Sequence, residues 1–481
     1  MAEKMLQFTH VQRSMPAKRA PEARAHDFDE IYSEFSLKAA GAQAARCSQC
    51  GVPFCQQGCP LSNNIPDWLK LAAEGRLEEA WEVSTATNNM PEICGRICPQ
   101  DRLCEGICTI EQSGHGTVTI GSVEKFITDT AWEEGWVKPI SPPRERSQSA
   151  GIIGAGPGGL AAAEQLRRKG YQVTVYDAYD RGGGLLVYGI PGFKLEKPVV
   201  ARRIKHLEDS GVSFKFNTRI GPDISLQDLR KTHDTVLIAT GVYQAKDLKC
   251  PGVGSTGVLA ALDFLTASNR KSFGDAVPEF DDGTLNAEGK RVVVIGGGDT
   301  AMDCVRTAVR QGAKSVTCLY RRDRANMPGS QREVANAEEE GVVFEWLASP
   351  EAILDTKAGK AKAVRAAKMK LGEPDASGRQ SPVKTGDTMD VKADMVIKAL
   401  GFDPEDLPEL FGEPALTVNR WGAVRVDYAT METSLSGVYA AGDIVRGASL
   451  VVWAIKDGRD AAEAMHRAMK SAEKASKVAA E

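Results

Sequence analysis

The sequence predicts an α/β protein with two Rossmann-like nucleotide-binding domains behind an N-terminal domain that is rich in cysteine. Two segments, 149–178 and 290–325, each read as an apolar strand, a glycine-rich turn and an alanine-containing helix, which is the pattern of a dinucleotide-binding unit. Eight of the 11 cysteines lie between positions 47 and 108, before both units. Because domains usually have roughly 100 to 200 residues, a chain of 481 residues allows about three domains.

The first dinucleotide unit is SAGIIGAGPGGLAAAEQLRRKGYQVTVYDA, residues 149–178. Its strand reaches Gly154, Gly156 and Gly159, and a helix-forming segment follows. Such glycines permit a tight turn and a close approach of the backbone to a pyrophosphate group, which sits at the helix N-terminus. A second strand ends at Asp177, a residue type that accepts a hydrogen bond from a ribose hydroxyl in such units.

The second unit is KRVVVIGGGDTAMDCVRTAVRQGAKSVTCLYRRDRA, residues 290–325. Its strand reaches Gly296 and Gly298, and Ala301 stands where the third glycine would be. The following strand ends in a double arginine, Arg321 and Arg322. This segment therefore predicts a second dinucleotide site.

The two units differ in the residue that follows the second strand. Asp177 favours a free 2′-hydroxyl, whereas Arg321 and Arg322 favour a 2′-phosphate through forked, charge-assisted hydrogen bonds. The first site therefore fits FAD and the second fits NADPH. Two surface arginines on a loop, without a ligand, are the alternative for the second site.

Three later segments complete this architecture. TVLIATGVY (235–243), which contains Gly241, and DMVIKALGFDP (394–404) read as buried strands followed by turns of small residues, as expected where the chain crosses between two nucleotide domains. Near the C-terminus, VYAAGDIVRGASLVVWAI supplies a strand into Gly442 and Asp443 and then a final helix. We expect Asp443 to bind the ribityl chain of the flavin, and the helix N-terminus to stabilise negative charge on the flavin ring. An ordinary strand, turn and helix without a ligand is the alternative.

The cysteine-rich segment has three interpretations, which are disulfides, zinc and iron–sulfur clusters. Disulfides are disfavoured in a reducing compartment, and only the first two cysteines form a CxxC pair of the kind that structural zinc sites use. The run CxxCxxxxCxxxCP is typical of ferredoxin-type ligation. We favour two [4Fe-4S] clusters, for which the ligands would come from Cys47, Cys50, Cys55, Cys59, Cys94, Cys98, Cys104 and Cys108. The other three, Cys250, Cys304 and Cys318, are expected to be buried and inert.

Composition and charge argue against several classes of function. A formal charge of -4 with interspersed acids and bases provides no basic stripe for nucleic acid. No run approaches the roughly 18 apolar residues of a membrane span, and the first residues lack the apolar core of a secretory signal. Glu3, Glu22 and Asp27 argue against an organelle transit peptide. We therefore expect a soluble, cytoplasmic protein with small-molecule and protein partners.

The motifs, taken in order, resemble a known family. The cysteines, GAGPGGL, the GGxLxxGIP element at 183–191, GGGDTAMD, YRR and AAGD are similar to those of the small (β) subunits of bacterial NADPH-dependent glutamate synthases, from about Phe28 to the final helix. The sequence also resembles the electron-input half of dihydropyrimidine dehydrogenase and the electron-bifurcating ferredoxin:NADP oxidoreductases. It is more distantly similar to adrenodoxin reductase. The resemblance implies a helical iron–sulfur domain (1–145) and an FAD domain (146–250 and 402–481) into which an NADPH domain (251–401) is inserted.

The same resemblance implies an electron path. NADPH gives a hydride to FAD, and electrons pass through two [4Fe-4S] clusters to a large (α) subunit of a hetero-oligomer. That subunit would carry glutaminase and FMN synthase domains and make L-glutamate from L-glutamine and 2-oxoglutarate. The alternative destinations are a pyrimidine-reducing or a ferredoxin-linked electron-bifurcating complex, and a zinc-stabilised scaffold is a third, disfavoured hypothesis. Because no nucleophile with a neighbouring base stands out, we predict no catalytic acid–base residue and assign the chemistry to the cofactors.

Further site residues follow from the resemblance alone. Gly183, Gly184 and Gly241 join the FAD site, and Asp299 and Thr300 join the NADPH site. These residues belong to motifs that the family shares, so their roles are expectations carried over position by position.

The resemblance also implies how the clusters share the cysteines, because dihydropyrimidine dehydrogenase interleaves its ligands. The fourth ligand of one cluster is open between Cys94 and Glu124, and we favour Cys94 because thiolate is the softer ligand for iron in a cluster. The remaining ligands are Cys47, Cys50, Cys55 and Cys108 for the first cluster, and Cys59, Cys98 and Cys104 for the second.

Overall fold

The computed structural model describes residues 4–375, 378 and 380–478. No helix in this part of the chain has the length and apolar character that crossing a bilayer requires. The N-terminal helices are α1 (Pro21–Arg24), α2 (Leu37–Ala44), α3 (Phe54–Gln57), α4 (Ile65–Ala73), α5 (Leu77–Thr87), α6 (Pro91–Ile97), α7 (Thr109–Gln112) and α8 (Ile120–Glu133), with 3₁₀ turns at Gln7–Thr9 and Gln100–Arg102.

This helical domain packs around the fully buried indole of Trp68. Ile65 of α4 joins Trp68 against Val123 and Ile127 of α8. Trp68 Nε1 donates a hydrogen bond to Asn63 Oδ1 at 2.7 Å, which satisfies the polar atom of the buried ring. The cysteine-rich loops lie against the same core.

The rest of the chain alternates strands and helices. Up to residue 260 these are β1 (Ser149–Ile153), α9 (Pro157–Arg168), β2 (Gln172–Tyr176), α10 (Leu185–Tyr188), α11 (Lys197–Asp209), β3 (Ser213–Lys215), α12 (Leu226–Thr232), β4 (Thr235–Ile238), β5 (Gln244–Ala245) and β6 (Val258–Ala260). Then follow α13 (Ala261–Ser272), α14 (Pro278–Asp281), β7 (Arg291–Ile295), α15 (Asp299–Arg310), β8 (Ser315–Tyr320), α16 (Gln331–Glu339), β9 (Val343–Trp346), β10 (Ala348–Asp355), β11 (Ala361–Pro374), β12 (Gln380–Lys392) and β13 (Met395–Lys398). The last elements are β14 (Phe402–Asp403), α17 (Leu407–Leu410), β15 (Val438–Ala440), α18 (Asp443–Arg446) and α19 (Val451–Val478).

The first nucleotide domain has a parallel sheet in the order β15-β4-β1-β2-β3. Helices α9 and α19 pack on one face through residues that include Leu160 and Ile455. Helices α12 and α17 cover the other face through Leu226 and Leu407. Because β15 follows every strand of the second domain in the chain, the second domain is inserted into the first.

The second nucleotide domain has a parallel sheet in the order β6-β13-β7-β8-β9. Helices α13, α15 and α16 cover one face. An antiparallel sheet of β10, β11 and β12, which the sequence analysis did not predict, covers the other face through Val293, Ile353 and Val364. Cys304 and Cys318 are buried as expected.

The two crossings between the nucleotide domains lie side by side. β5 pairs with β14 in an antiparallel ladder, with Phe402 opposite Ala245 and Asp403 opposite Gln244. Cys250 follows β5 and is partly exposed rather than buried, because it lies in the turn that leads out of this short ribbon. The α/β fold, the helical N-terminal domain and the insertion therefore match the fold class that the sequence predicts.

Candidate functional site

The first glycine turn joins β1 to α9. Gly154 has φ +108°, and a Cβ on it would lie 2.3 Å from Ala239 O. A Cβ on Gly159 would lie 2.0 Å from Gly154 O, so both glycines are required by packing within the chain. Gly156 differs, because a Cβ there would meet no described atom within 4 Å, and this residue is the N-cap of α9. The open space beside the helix N-terminus fits a pyrophosphate group.

A cavity of about 250 Å³ adjoins this turn and reaches both dinucleotide units. Gly156 and Asp177 of the first unit line it, together with Asp299 and Thr300 at the N-terminus of α15. The structure thus brings residues that are predicted to bind FAD and residues that are predicted to bind NADPH to one space. Other lining residues are Gly241, Gly442, Asp443 and Leu450, with Ile97 and Pro99 of the helical domain.

Gly183 and Gly184 are not among the residues that line this cavity, but both contact the first glycine turn. Gly183 N donates a hydrogen bond to Ala155 O at 2.8 Å. A Cβ on Gly184, which has φ +55°, would lie 3.1 Å from Gly156 Cα. These two predicted FAD residues therefore hold the shape of the turn.

Two carboxylates lie at the cavity, the buried Asp177 and the partly buried Asp443. Asp177 follows β2 and accepts hydrogen bonds from Ala155 N at 2.6 Å and Tyr179 N at 2.8 Å, one at each carboxylate oxygen. Burial raises the pKa of Asp177, and burial raises the pKa of Asp443 to about 6. Each oxygen of Asp177 keeps a second lone pair, so the residue can order the glycine turn and also accept from a ribose hydroxyl.

The second glycine turn, between β7 and α15, repeats the design of the first. A Cβ on Gly296 would lie 2.2 Å from Ala399 O, whereas a Cβ on Gly298 would meet no described atom within 4 Å. Gly298 is the N-cap of α15, and Ala301 in the first turn is fully buried. The second turn thus also leaves open space at a helix N-terminus, as an anionic pyrophosphate requires.

Arg321 and Arg322 follow β8, at the position that the sequence analysis assigned to a 2′-phosphate site. Within the described part of the chain, neither guanidinium forms an ion pair, and the buried Arg322 Nε has no hydrogen-bond partner. Arg324 in the same loop is already engaged, because its Nη1 lies 2.7 Å from Glu338 Oε1. The two predicted arginines are therefore the ones that remain available for an anion.

The first group of cysteines comes from three places in the helical domain: Cys47 and Cys50 precede α3, Cys55 lies in α3, and Cys108 is the N-cap of α7. Cys47, Cys55 and Cys108 belong to the same core cluster, and burial, followed by the neighbouring Cys47 and Cys108, raises the pKa of Cys55 to about 12. Cys50 contributes to the same shift, and its Sγ lies 3.7 Å from Thr109 Oγ1, next to Cys108. These four thiols are the set that the resemblance assigns to one cluster.

The second group lies near the buried side chain of Glu124. Hydrogen bonding to Cys98, together with burial, raises the pKa of Cys94 well above its usual value. The pKa of Cys59 rises to about 11, because burial and then Glu124 and Cys94 oppose its ionisation more than backbone N–H groups favour it. Burial and nearby acidic groups, including Cys59 and Glu124, likewise raise the pKa of Cys104.

Asn88 links the two candidate fourth ligands of this second group. Its Nδ2 donates to Glu124 Oε1 at 3.2 Å, and Cys94 Sγ donates to its Oδ1 at 3.7 Å. Burial raises the pKa of Glu124 to about 8, so its carboxyl group is largely protonated near pH 7. All the cysteines are free thiols, and no three His, Cys, Asp or Glu side chains of the described residues are set around a single metal ion.

Comparison with known proteins identifies both parts of the chain. Residues 24–136 match the family described as dihydropyrimidine dehydrogenase domain II, 4Fe-4S cluster, and residues 149–458 match the pyridine nucleotide-disulphide oxidoreductase family. The glutamate synthase (NADPH) small chain of Azospirillum brasilense is 65% identical over 481 residues, which cover 100% of this chain and 99% of that protein. The chain belongs to the glutamate synthase small-chain family. The small chain of Escherichia coli (strain K12) is 46% identical, over 96% of this chain and 98% of that protein.

The fold of this glutamate synthase small-chain family member also resembles that of a solved structure. Mycobacterium tuberculosis FprA in complex with NADPH superposes with a TM-score of 0.58 at 21% identity, over 69% of this chain and 86% of FprA. This likeness concerns the fold alone. For the N-terminal part, the match to a 4Fe-4S family confirms the iron–sulfur interpretation over disulfides and zinc.

Several residues of this small-chain site were not predicted from the sequence. Lys194 and Asp303 line the shared cavity as an ion pair, and Ile97 and Pro99 bring the helical domain to its wall. Asp303 gave a signal that could have been used, since it lies one helical turn after Asp299 in GGGDTAMD, on the buried side of an apolar helix. The sequence carries no comparable signal for the other three.

Proposed function

We propose that this protein is the electron-input subunit of glutamate synthase. It oxidises NADPH and delivers electrons to a large subunit that forms L-glutamate from L-glutamine and 2-oxoglutarate. The observation that carries the proposal is the 65% identity to a glutamate synthase small chain over the full length of both proteins. The shared cavity supports it, because one space adjoins both dinucleotide turns and the iron–sulfur domain.

The residues of the chain would bind, orient and shield the cofactors. Bound FAD would accept the hydride of NADPH, and two [4Fe-4S] clusters would carry electrons onward one at a time. The N-termini of α9 and α15, with Gly156 and Gly298, would hold the two pyrophosphates. Helix α19 begins at Val451, which lines the cavity, so the positive end of its dipole would favour negative charge on the flavin ring.

Two further residues complete the proposed flavin site. Asp177 would hold the ribose and Asp443 the ribityl chain, both from the wall of the cavity. The proposed domain boundaries are 1–145 for the iron–sulfur domain, 146–250 with 402–481 for FAD, and 251–401 for NADPH. The side-by-side pairing of β5 and β14 supports the two crossings that these boundaries imply.

For the clusters we propose the interleaved ligand sets, with Cys94 as the fourth ligand of the second. The closeness of Cys94 to Cys98, and the softer thiolate that Cys94 offers to iron, support this choice. Anaerobic Cys94→Ala protein should lose iron and change its EPR spectrum, whereas Glu124→Gln should keep both. The reverse pattern would make Glu124 the ligand.

The proposed coenzyme preference depends on Arg321 and Arg322. Replacing both with alanine should raise the KM for NADPH much more than the KM for NADH, because the lost contacts go to the 2′-phosphate alone. Arg324→Ala, which removes a neighbouring arginine that is already paired with Glu338, is the matched control and should leave the ratio unchanged. An equal rise of the KM for NADPH and the KM for NADH would show that the two arginines do not bind the 2′-phosphate.

The partner decides between the two destinations of the electrons. A large subunit is implied by the small-chain family, and we propose that it carries glutaminase and FMN synthase domains in a hetero-oligomer, in the reducing cytoplasm that eight thiol ligands require. Putative oxidoreductase AegA of Escherichia coli (strain K12) is 46% identical over 94% of this chain and 69% of that protein, so the same module also occurs in longer proteins.

Purification at native abundance, with mass spectrometry of whatever large polypeptide co-purifies, tests the proposal. A pyrimidine-reducing or ferredoxin-type partner would contradict it.

A further inference from the structure

Within the cavity, the two nucleotide domains meet through a buried ion pair. Lys194 Nζ lies 2.8 Å from Asp303 Oδ1, and only 12% and 8% of the two side chains are exposed. Lys194 lies in the turn that follows the GGxLxxGIP element, where its N–H donates to Pro191 O at 3.1 Å. Asp303 lies one turn into α15. The pair therefore joins the flavin-side loop to the helix whose N-terminus lies at the second glycine turn.

Among the described residues, neither side chain of this pair has a second ion-pair partner within 4 Å. Lys194 is near three carboxylates, Asp303, Glu333 and Asp299, and although burial lowers its pKa these groups raise it above the usual value. Glu333 is already bound by Arg306 Nη1 at 2.5 Å. Burial raises the pKa of Asp303 to about 6, and Lys194 opposes that shift. Removal of either partner would leave a buried charge without its counter-ion, which is strongly unfavourable.

Hydride transfer needs contact between two rings that are held by different domains. A displacement of about 1 Å at such a site can cost about a hundredfold in rate. We propose that Lys194 and Asp303 are positioning residues that set the approach of the NADPH domain to the flavin. This inference rests on the proposed function, and it assigns to the pair no contact with the transferred hydride.

The test uses the full-length protein loaded with FAD. Lys194→Met and Asp303→Asn, alone and combined, form a double-mutant cycle, and Lys194→Arg keeps the charge. Each charge-removing single variant should slow flavin reduction at saturating NADPH by on the order of tenfold to a hundredfold with unchanged flavin content. The combined variant should lose little more than either single variant because the two residues act together. Lys194→Arg should keep most of the rate.

A second readout does not depend on activity. Hydrogen exchange of the unliganded protein should become faster in both residues 191–195 and α15 in each charge-removing single variant, although these segments belong to different domains. The matched control is Arg181→Met, because Arg181 Nη2 lies 2.7 Å from Asp275 Oδ1 and joins the same two domains away from the cavity. This control should leave the reduction rate and the exchange of α15 unchanged.

Several outcomes would overturn the inference. An unchanged rate of flavin reduction in the single variants would contradict it. So would rate losses that add up in the combined variant, or rate losses equal to that of Arg181→Met. A lower melting temperature with an unchanged rate in the folded protein would make the pair merely structural. If the unaltered protein failed to oxidise NADPH, the proposed function would fail instead, and the exchange data alone would then decide whether the pair couples the domains.

Discussion

At the scale of single residues, the glycines of the two turns serve different purposes. Gly154, Gly159 and Gly296 are required by the chain itself, since a Cβ on any of them would lie within 2.3 Å of a backbone oxygen. Gly156 and Gly298 face open space at the N-termini of two helices. A substitution of Gly156 or Gly298 should therefore weaken ligand binding without reducing the stability of the fold.

Replacement of Gly156 with valine tests this distinction. The variant should fold with a melting temperature close to that of the parent but bind at least tenfold less FAD, because its side chain would fill the space for the pyrophosphate. Flavin absorbance per protein and thermal unfolding measure the two effects. Gly159→Val is the comparison, and overpacking against Gly154 O should destabilise it by roughly 1 to 3 kcal/mol or more. A yellow Gly156→Val protein would contradict the assignment.

Lys197 is a partly buried lysine whose ionisation should make stability depend on pH. Its Nζ donates to the carbonyls of Leu186, at 3.1 Å, and Ile190, and burial lowers its pKa to about 7. Because its pKa in the folded protein is below the usual 10.5, the unfolded chain binds more protons between these pH values, and the free energy of unfolding rises with pH there.

The expected slope is about 1.4 kcal/mol per pH unit over this range. Lys197→Met should lack this contribution, so its melting temperature should rise less, or fall more, than that of the parent from about pH 7 to pH 10. Lys205→Met changes an exposed lysine on the same helix, paired with Asp209, and should retain the slope of the parent. Parallel pH profiles for Lys197→Met and the parent would refute the prediction.

At the scale of elements, the segment before α2 is attached to α15 and α16 by buried charges. Arg24 Nε donates to Glu340 Oε1 at 2.9 Å, and no part of either side chain is exposed. Arg306 and Arg310 reach the same carboxylate at 2.8 and 2.7 Å. The ring of Phe193 lies against both guanidinium groups, at 4.4 and 4.0 Å from their carbons. This network ties the N-terminal segment to both nucleotide domains.

Loss of the Glu340 charge should strongly destabilise the protein. Glu340→Gln should lower the free energy of unfolding by about 3 to 5 kcal/mol, because three buried guanidinium groups would lose their common anion. Although burial opposes ionisation, Arg306 and Arg310 hold the pKa of Glu340 at about 2. The contribution of ionised Glu340 to the free energy of unfolding is therefore complete above the usual pKa of 4.5, and it is lost as pH falls toward 2.

Thermal and denaturant unfolding between these pH values measure the effect. The parent should lose stability over this range more steeply than Glu340→Gln does. Glu79→Gln, which breaks the exposed pair of Glu79 with Arg76, is the control and should change little. An equal change in the free energy of unfolding for Glu340→Gln and Glu79→Gln would show that the buried network stabilises the protein no more than a surface ion pair does.

At the scale of the whole molecule, the two cysteine groups differ in their relation to the shared cavity. Cys98 lies between Ile97 and Pro99, which line the shared cavity, so the second group adjoins the flavin side. No chain neighbour of a first-group cysteine lines this cavity, and each group has two buried and two partly exposed cysteines. We infer that electrons leave the cavity through the second group and reach the partner through the first.

Cys50→Ser tests this direction. The variant should contain about half the iron and should lose partner-dependent glutamate formation, because the exit cluster is absent. Reduction by NADPH of a dye that takes electrons from the flavin should stay close to that of the parent. Iron analysis and the two activity assays, made on the complex with its large subunit, give the result. Loss of dye reduction would show that the first group is needed earlier in the path.

The sequence predicted the parts of this site that depend on short stretches of chain. Each dinucleotide unit spans about 30 residues, and its strand, glycines, helix and terminal residue are close enough in sequence for one pattern to reveal them. The iron–sulfur interpretation likewise depended on cysteine spacing within a single segment. The antiparallel sheet of β10 to β12 was missed because its alternation is only partial and its outer strand is mostly exposed.

The sequence by itself thus determined the α/β class, the two nucleotide turns, the double arginine and the eight candidate ligands, because each is a local pattern with a direct chemical meaning. Only the tertiary structure decided which of these residues meet. Lys194 and Asp303 are 109 residues apart, and Arg24 and Glu340 are 316 apart. Such pairs depend on how domains pack, and packing is set by the complete set of contacts in the folded chain rather than by any one segment.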